Sequence, residues 1–338
     1  MKRRWLSFGM MFFVIGCVSF GMYRMAQAAQ LTVKAAHIKT APAGLDDPVW
    51  KNIQAVSIPM EGRDALSGRK ETVAAKAAYT DTEIFLLFQW KDPTRSITKQ
   101  SWIFDGINWK HLPGDEDRLA ILFEITRISK FATRGCAVTC HSPPDLPKNL
   151  WVLATRNASE IGDLWHWKAA RSDPYQHADD SWLTIPGLLG EYDPNKQSGR
   201  RSDAGIGGDV KNEVADKSRP RYMPGPTRSS GDSGILPAED AVEITDYTIF
   251  KPGDVLTYRM PRKPAGSRAD ISAVSRYQDD GWILMLYRKL NTGHDDDVIF
   301  DPKKQYSFAM GLFDDAGNDH SKATEPLTLK FLKSDRNY

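Results

Sequence analysis

Cysteine is scarce: three residues in 338. One of them, Cys17, falls in an apolar N-terminal run, so the rest of the chain keeps only Cys136 and Cys140. Two thiols cannot staple a disulfide-built scaffold. They also exclude a four-thiolate zinc centre, although a mixed site with His166 and His177 stays open. Charge imbalance is lacking too: 45 basic residues face 43 acidic ones, a formal net charge of +2. No basic bias points to nucleic acid. Helical patterns of a dozen or more residues are scarce, which argues against a helix bundle. There is no internal repeat, and no Ser–His–Asp or paired-carboxylate constellation supports hydrolysis.

The chain opens with Lys2, Arg3 and Arg4, followed by an almost uninterrupted apolar run from Trp5 to Met22. The stretch "AQAAQ" then places Ala26 and Ala28 at the spacing a signal peptidase reads. Residues 1–28 are expected to be an export leader cleaved near Ala28. Two rivals are an uncleaved membrane anchor and a lipoprotein box, "VIGC", lipidating Cys17. All three put residues 29–338 outside the cytoplasm. Without the leader's four basic residues, 41 basic face 43 acidic.

What is present is strand pattern. "ETVAAKAAYTDTEIFLLFQWKD" holds two strand-like runs around the turn signal "TDTE". "EDRLAILFEITR", "DVLTYRM", "DGWILMLYRKL", "KKQYSFAMGLFDD" and "EPLTLKFLK" continue it, and "LDDPVW" supplies a turn and a Trp50 anchor. Short runs between Asp, Gly and Pro turns predict a mostly β fold, an immunoglobulin-like or carbohydrate-binding-module-like β-sandwich. Residues 186–238 are rich in Gly, Ser, Pro, Arg and Asp and cannot build much core. They read either as a linker between two domains or, the preferred reading, as a long excursion from one domain spanning 29–338.

The chemistry concentrates in "RGCAVTCHS", residues 134–142. A Cys136–Cys140 disulfide is open in an oxidising compartment but leaves His141 unexplained. A haem attachment site explains more: two thiols add to the haem vinyl groups, and the histidine after the second becomes an iron ligand. Three residues separate the cysteines where two are usual, so the loop is one residue wider.

With "LDDPVW", "AAYTDTEIFLLFQWKDPT", "EDRLAILFEI", "GCAVTCH", "GDLWHWKAARSDPYQHADD", "YRKLNTGHDDDVIF" and "YSFAMGLFDDAGNDHSKA", the chain resembles the haem-binding γ subunit family of ethylbenzene dehydrogenase and related molybdenum enzymes. Within it, the chain resembles the branch carrying a c-type haem. The resemblance spans nearly all of residues 29–338. It implies one β-sandwich in the periplasm, soluble or tethered by its N-terminal segment, with long loop excursions around a single covalent haem c. It also implies electron transfer to a redox partner protein: a molybdenum enzyme with an iron–sulfur subunit, or a quinol-oxidising membrane complex. The family's best-known members hold a haem b between Met and Lys, whereas "CAVTCH" puts that ligand pair in doubt here.

The proximal iron ligand is then His141, with Cys136 and Cys140 as attachment points. His166 in "LWHWK" is the first choice for the distal ligand, walled by Trp165 and Trp167. Met223, Lys168, Met285, Met310 and Lys289 are the alternatives. Arg134 and Arg171 could pair with the haem propionates. The acids of "GHDDDVIFD" (Asp295, Asp296, Asp297, Asp301) and of "QHADD" (Asp179, Asp180) are solvated turn residues or Ca²⁺ ligands. Three functions compete: an electron carrier, a haem enzyme or small-ligand sensor with an open sixth site, and a haem-free carbohydrate-binding-like module with a Cys136–Cys140 disulfide.

Overall fold

The computed structural model describes residues 30–62, 66–139, 153–186, 198–225 and 234–333. The expected leader (residues 1–28), Cys140 and His141 lie outside the described residues. Twenty strands run along the described chain: β1 Leu31–His37, β2 Val56–Gly62, β3 Lys70–Tyr79, β4 Glu83–Lys91, β5 Trp102–Phe104, β6 Trp109–His111, β7 Arg118–Glu124, β8 Gly162–Lys168, β9 Asp179–Leu183, β10 Arg200–Ser202, β11 Asp209–Lys211, β12 Tyr222–Pro224, β13 Ala241–Glu243, β14 Val255–Leu256, β15 Arg259–Pro261, β16 Ser272–Tyr277, β17 Gly281–Lys289, β18 Gln305–Phe313, β19 Ser321–Ala323 and β20 Leu327–Phe331. Helix is limited to single turns, α1 Val49–Asn52 and α2 Phe131–Arg134, with a few 3₁₀ turns. Among the described residues no helix is long and apolar enough to cross a membrane.

The alternation in the sequence decides which side chains go inside. In β4, Ile84, Leu86, Phe88 and Trp90 face the main core, while Phe85 and Leu87 face out onto Trp50 and Met285. The turn into β4 is fixed locally: the Thr80 hydroxyl accepts hydrogen bonds from the amides of Thr82 at 3.3 Å and Glu83 at 3.0 Å.

The strands stack as two layers. One is β10-β9-β8-β7-β18 and the other is β3-β4-β17-β16; two links, β20-β1 and β19-β2, join β18 to β3. Inner-face side chains meet between the layers. The Trp167 ring packs edge-on against Trp90 at 6.0 Å and Trp282 at 5.0 Å. Burying one such side chain contributes about 1.5–3 kcal/mol. Within 186–238, residues 198–225 pair back onto other segments: β10 on β9, β11 on β15 and β12 on β13. Strands from before and after that stretch share a layer, since β7 lies between β8 and β18.

Three of the acids read as turn residues or Ca²⁺ ligands, Asp179, Asp180 and Asp297, have other work, while Asp295 is exposed and Asp301 caps a turn by accepting from the Lys303 amide at 2.9 Å. Asp179 pairs with Lys168 and, at 3.3 Å, with Arg268. Burial works to raise Asp179, yet Lys168 and Arg268 hold it well below the ordinary carboxylate range. Asp297 lies 2.7 Å and Asp180 3.6 Å from the fully buried guanidinium of Arg288, which also pairs with Asp163 at 2.8 Å. A protein cation already occupies the centre of that cluster.

Candidate functional site: the outer face of the β7–β8–β18 sheet

Register sets the outer face of the first layer in rows across β18, β7 and β8. Ala309, Leu122 and Leu164 align in one row, Gly311, Ala120 and His166 in the next, and Phe313, Arg118 and Lys168 in the third. The rows are two residues apart, so the first and third are separated by about 13 Å.

Cys136 packs on the first row. After α2 the chain turns through Gly135, whose φ of 54° favours a residue without a Cβ. This seats Cys136, buried, against Leu122, Leu164 and Ala309, with Phe131 and Val138 beside it. The Cys136 carbonyl accepts hydrogen bonds from the Thr139 amide at 2.9 Å and hydroxyl at 3.2 Å. A cleft of about 90 Å³ opens next to it, between Thr133, Arg134 and Cys136 on one side and Ala309 and residues 323–326 on the other.

His166 holds the second row. It is 6 % exposed, and its Nε2 has no hydrogen-bond partner. Burial, then the charges of Lys168, Arg200, Arg118 and Arg171, keep its pKa well below the ordinary histidine range. The ring is therefore a neutral imidazole, the form that ligates a metal. Its neighbours in the row are Ala120 and Gly311, which leave the sheet surface low.

The third row is cationic. Arg118 lies over the Phe313 ring at 4.1 Å and donates to the carbonyls of Ala316 and Gly317, while its buried Nε has no partner. Arg200 lies toward the other end of the face: its register partner is Leu183, opposite Gly162, and its guanidinium donates to the hydroxyl of Ser181, level with Leu164 of the first row, at 2.9 and 3.2 Å. Neither Arg118 nor Arg200 forms an ion pair among the described residues. Burial lowers Lys168 to about 8, against the pull of Asp179.

The other candidates fall elsewhere. Trp165 and Trp167 share β8 with His166, but the two-residue period turns them into the core between the layers, where both are fully buried. They and His166 do not line a common space. Met310 also faces that core, Met285 packs outside the second layer on Trp50, and Met223 packs near Trp102 and Ile244. Lys289 ends β17 beside residues 81–83. Arg134 is exposed at the Cys136 end, and Arg171 is paired with Glu116 and Asp209. Of the distal candidates, His166 and Lys168 alone share the face on which Cys136 packs.

Sequence reasoning passed over Arg118, Arg200 and His320. The first was legible: alternation in "RLAILFE" puts Arg118, Ala120 and Leu122 on one face. His320 lies beyond β18, its ring 4.7 Å from that of Phe313, which in turn is 5.6 Å from the ring of His166. A Cβ at Gly311 would stand 3.2 Å from the His320 ring, so the glycine makes room for that imidazole over the strand.

These layers and this graded face define a β-sandwich protein whose first sheet carries a candidate prosthetic-group surface. The chain belongs to the ethylbenzene dehydrogenase family, whose model matches residues 47–325. No curated protein matches it. Among solved structures, it is similar to a family 9 carbohydrate-binding module from Caldicellulosiruptor kristjanssonii in complex with glucose. The identity is 7 %, the TM-score 0.37, and the match covers 91 % of this chain and 98 % of that one. For the same kind of module in complex with cellotriose the identity is 8 % and the TM-score 0.36, over 91 % and 97 % of the chains. Likeness at that level identifies neither a ligand nor a function.

Proposed function

We propose that this chain is a periplasmic single-haem c-type electron carrier, working with a molybdenum oxidoreductase that has an iron–sulfur subunit. Beyond family membership, one observation carries the reading: the gradient along the outer face, from an apolar row holding Cys136, past a buried neutral histidine, to a row of guanidinium and ammonium groups. A haem has the same polarity, with reactive vinyl groups at one edge and propionates at the other. Bound there it would supply one-electron iron chemistry. The small residues Ala309, Ala120 and Gly311 give a flat surface low enough for a planar group. Cys136 and Cys140 would attach it and His141 would ligate the iron. Arg118, which forms no ion pair among the described residues, is available to its acidic edge.

His166 is the first candidate for the distal ligand, because its Nε2 is buried and without a partner. The position of His320 favours a second reading. It lies against the same face through Gly311, three residues before the segment that walls the Cys136 cleft.

The test is a pyridine haemochrome spectrum with an intact mass, which should give one haem joined by two thioethers. Replacing Cys136 and Cys140 together by Ala should abolish covalent attachment; haem that survives denaturation in that variant overturns the assignment. His166→Ala and His320→Ala separate the ligand readings, since only loss of the true ligand converts a low-spin spectrum to high-spin. If the wild type is already high-spin, the open-site reading replaces both.

A further inference from the structure

We propose that Asp92, Asp117 and Asp314 form a binding site for Ca²⁺ at one end of the sandwich. Each stands immediately outside a strand: Asp92 after β4, Asp117 before β7 and Asp314 after β18. One carboxylate oxygen from each lies within 4.8 Å of the others. Asp92 is 1 % and Asp117 0 % exposed.

The hydrogen bonds leave a definite remainder. Asp92 Oδ1 accepts from the amide and hydroxyl of Thr94, at 3.1 and 3.2 Å, but among the described residues its buried Oδ2 forms no hydrogen bond of good geometry, the Trp90 indole being the donor at hand. Asp117 Oδ2 accepts from the Ser96 amide at 2.8 Å and the Trp282 indole at 2.9 Å, whereas its Oδ1 has only the Asp315 amide at 3.3 Å. Asp314 Oδ2 is paired with Arg69, leaving Oδ1 with the Thr94 hydroxyl at 3.5 Å. Arg69 also pairs with Glu71. One arginine thus faces four acids here. An unpartnered oxygen in a side chain this deeply buried costs free energy until a cation or proton reaches it.

The donor set selects the ion. All ligating atoms are carboxylate oxygens, and among the described residues neither histidine nor cysteine joins the group. Hard oxygen ligands suit Ca²⁺, whereas Mg²⁺ demands a near-ideal octahedron and keeps its water. The other buried acid group, Asp163, Asp180 and Asp297, does not compete, because Arg288 sits among its oxygens. Bound Ca²⁺ would tie the end of β4 in one layer to β7 and β18 in the other. It would also anchor the start of the 314–320 loop.

The full-length protein, stripped with EDTA, would be titrated with CaCl₂ by calorimetry and followed by thermal unfolding. The expected result is one site, with a Kd at or below about 1 mM, the range of extracellular Ca²⁺ modules, and a midpoint raised by several degrees. Asp92→Asn and Asp314→Asn should each weaken binding at least about tenfold, as loss of a charged ligand implies, while Asp203→Asn leaves it unchanged. Absence of both heat and midpoint shift overturns the site. So does a Ca²⁺ response that survives in the Asp92→Asn/Asp314→Asn double variant, or an equal response to MgCl₂. None of these readouts depends on haem, so this proposal and the electron-carrier reading can fail separately.

Discussion

Replacing Arg288 with Met should expose what holds the sandwich at the β8–β17 contact. The guanidinium is fully buried and donates to Asp163 at 2.8 Å, to Asp297 at 2.7 Å and to the Val298 carbonyl at 2.7 Å. It also lies 4.8 Å from the centre of the Trp165 ring. Met fills much of the volume but leaves Asp163, Asp180 and Asp297 without their common cation. Removing one partner of a buried pair costs about 3–5 kcal/mol, and that is the loss expected at pH 8. The loss should shrink on acidification. Without Arg288 the pKa values of Asp180 and Asp297, already raised by burial, rise further in the folded state, so the folded variant binds more protons than the unfolded chain and its stability falls more steeply as pH rises. Asp297 already stands at about 6, raised by burial against the pull of Arg288. At pH 5 the variant should therefore recover about 1–2 kcal/mol. Urea unfolding followed by tryptophan fluorescence measures both, and adding Asp163→Asn should restore part of the deficit at pH 8. A loss below about 1 kcal/mol, or one equal at both pH values, would refute the reasoning.

The Asp180–Asp203 pair gives a second pH effect. Burial, then the charges of Asp296, Asp163 and Asp297, raises Asp203 to about 8. A raised folded-state pKa adds stability that is complete below the unfolded value of about 3.9 and is lost as pH climbs toward 8, by up to about 1.4 kcal/mol per unit. Asp203→Asn should flatten that decline between pH 5 and 7.5, and parallel stability curves would sink the idea. On the outer face, Arg118→Gln removes a positive charge about 10 Å from a haem centred on the second row. The oxidised form then loses a repulsion worth on the order of 1–2 kcal/mol at an effective dielectric of about 20. Redox titration should show a lower midpoint potential, with Arg134→Gln nearly silent; the reverse ranking would move the acidic edge to the Cys136 end.

Local pattern was readable in the sequence because it depends on neighbours. "EIFLLFQWK" alternates and forms β4; "TDTE" carries its own capping hydroxyl and makes the turn. The partners of Arg288 were not readable. Asp163 is 125 residues away, and nothing in "GHDDDVIFD" distinguishes buried Asp297 from its neighbour Asp296. The cations of the outer face were half readable, since β7 alternation predicts the facing of Arg118. Arg200, however, reaches the face through the pairing of β10 on β9, within a stretch whose composition suggested little structure. The expectation that Trp165 and Trp167 wall His166 conflicted with the alternation read from the same segment, because neighbours in a strand point to opposite faces.

That alternation makes β8 the hinge of the argument about function. Asp163, Trp165 and Trp167 face inward, where one pairs with Arg288 and two fill the gap between the layers. Leu164, His166 and Lys168 face outward and supply one residue to each row of the graded surface. A strand loaded this way fixes the surface as rigidly as the core, since no outward residue can shift register without moving a tryptophan from its packed site. Rigidity suits a site that must hold one geometry through a change of charge, because less reorganisation accompanies each electron. Sharing one strand, β8, places His166 on the outer face and Asp163 on the buried Arg288 cluster, so the proposed haem face and the ion cluster rest on the same element.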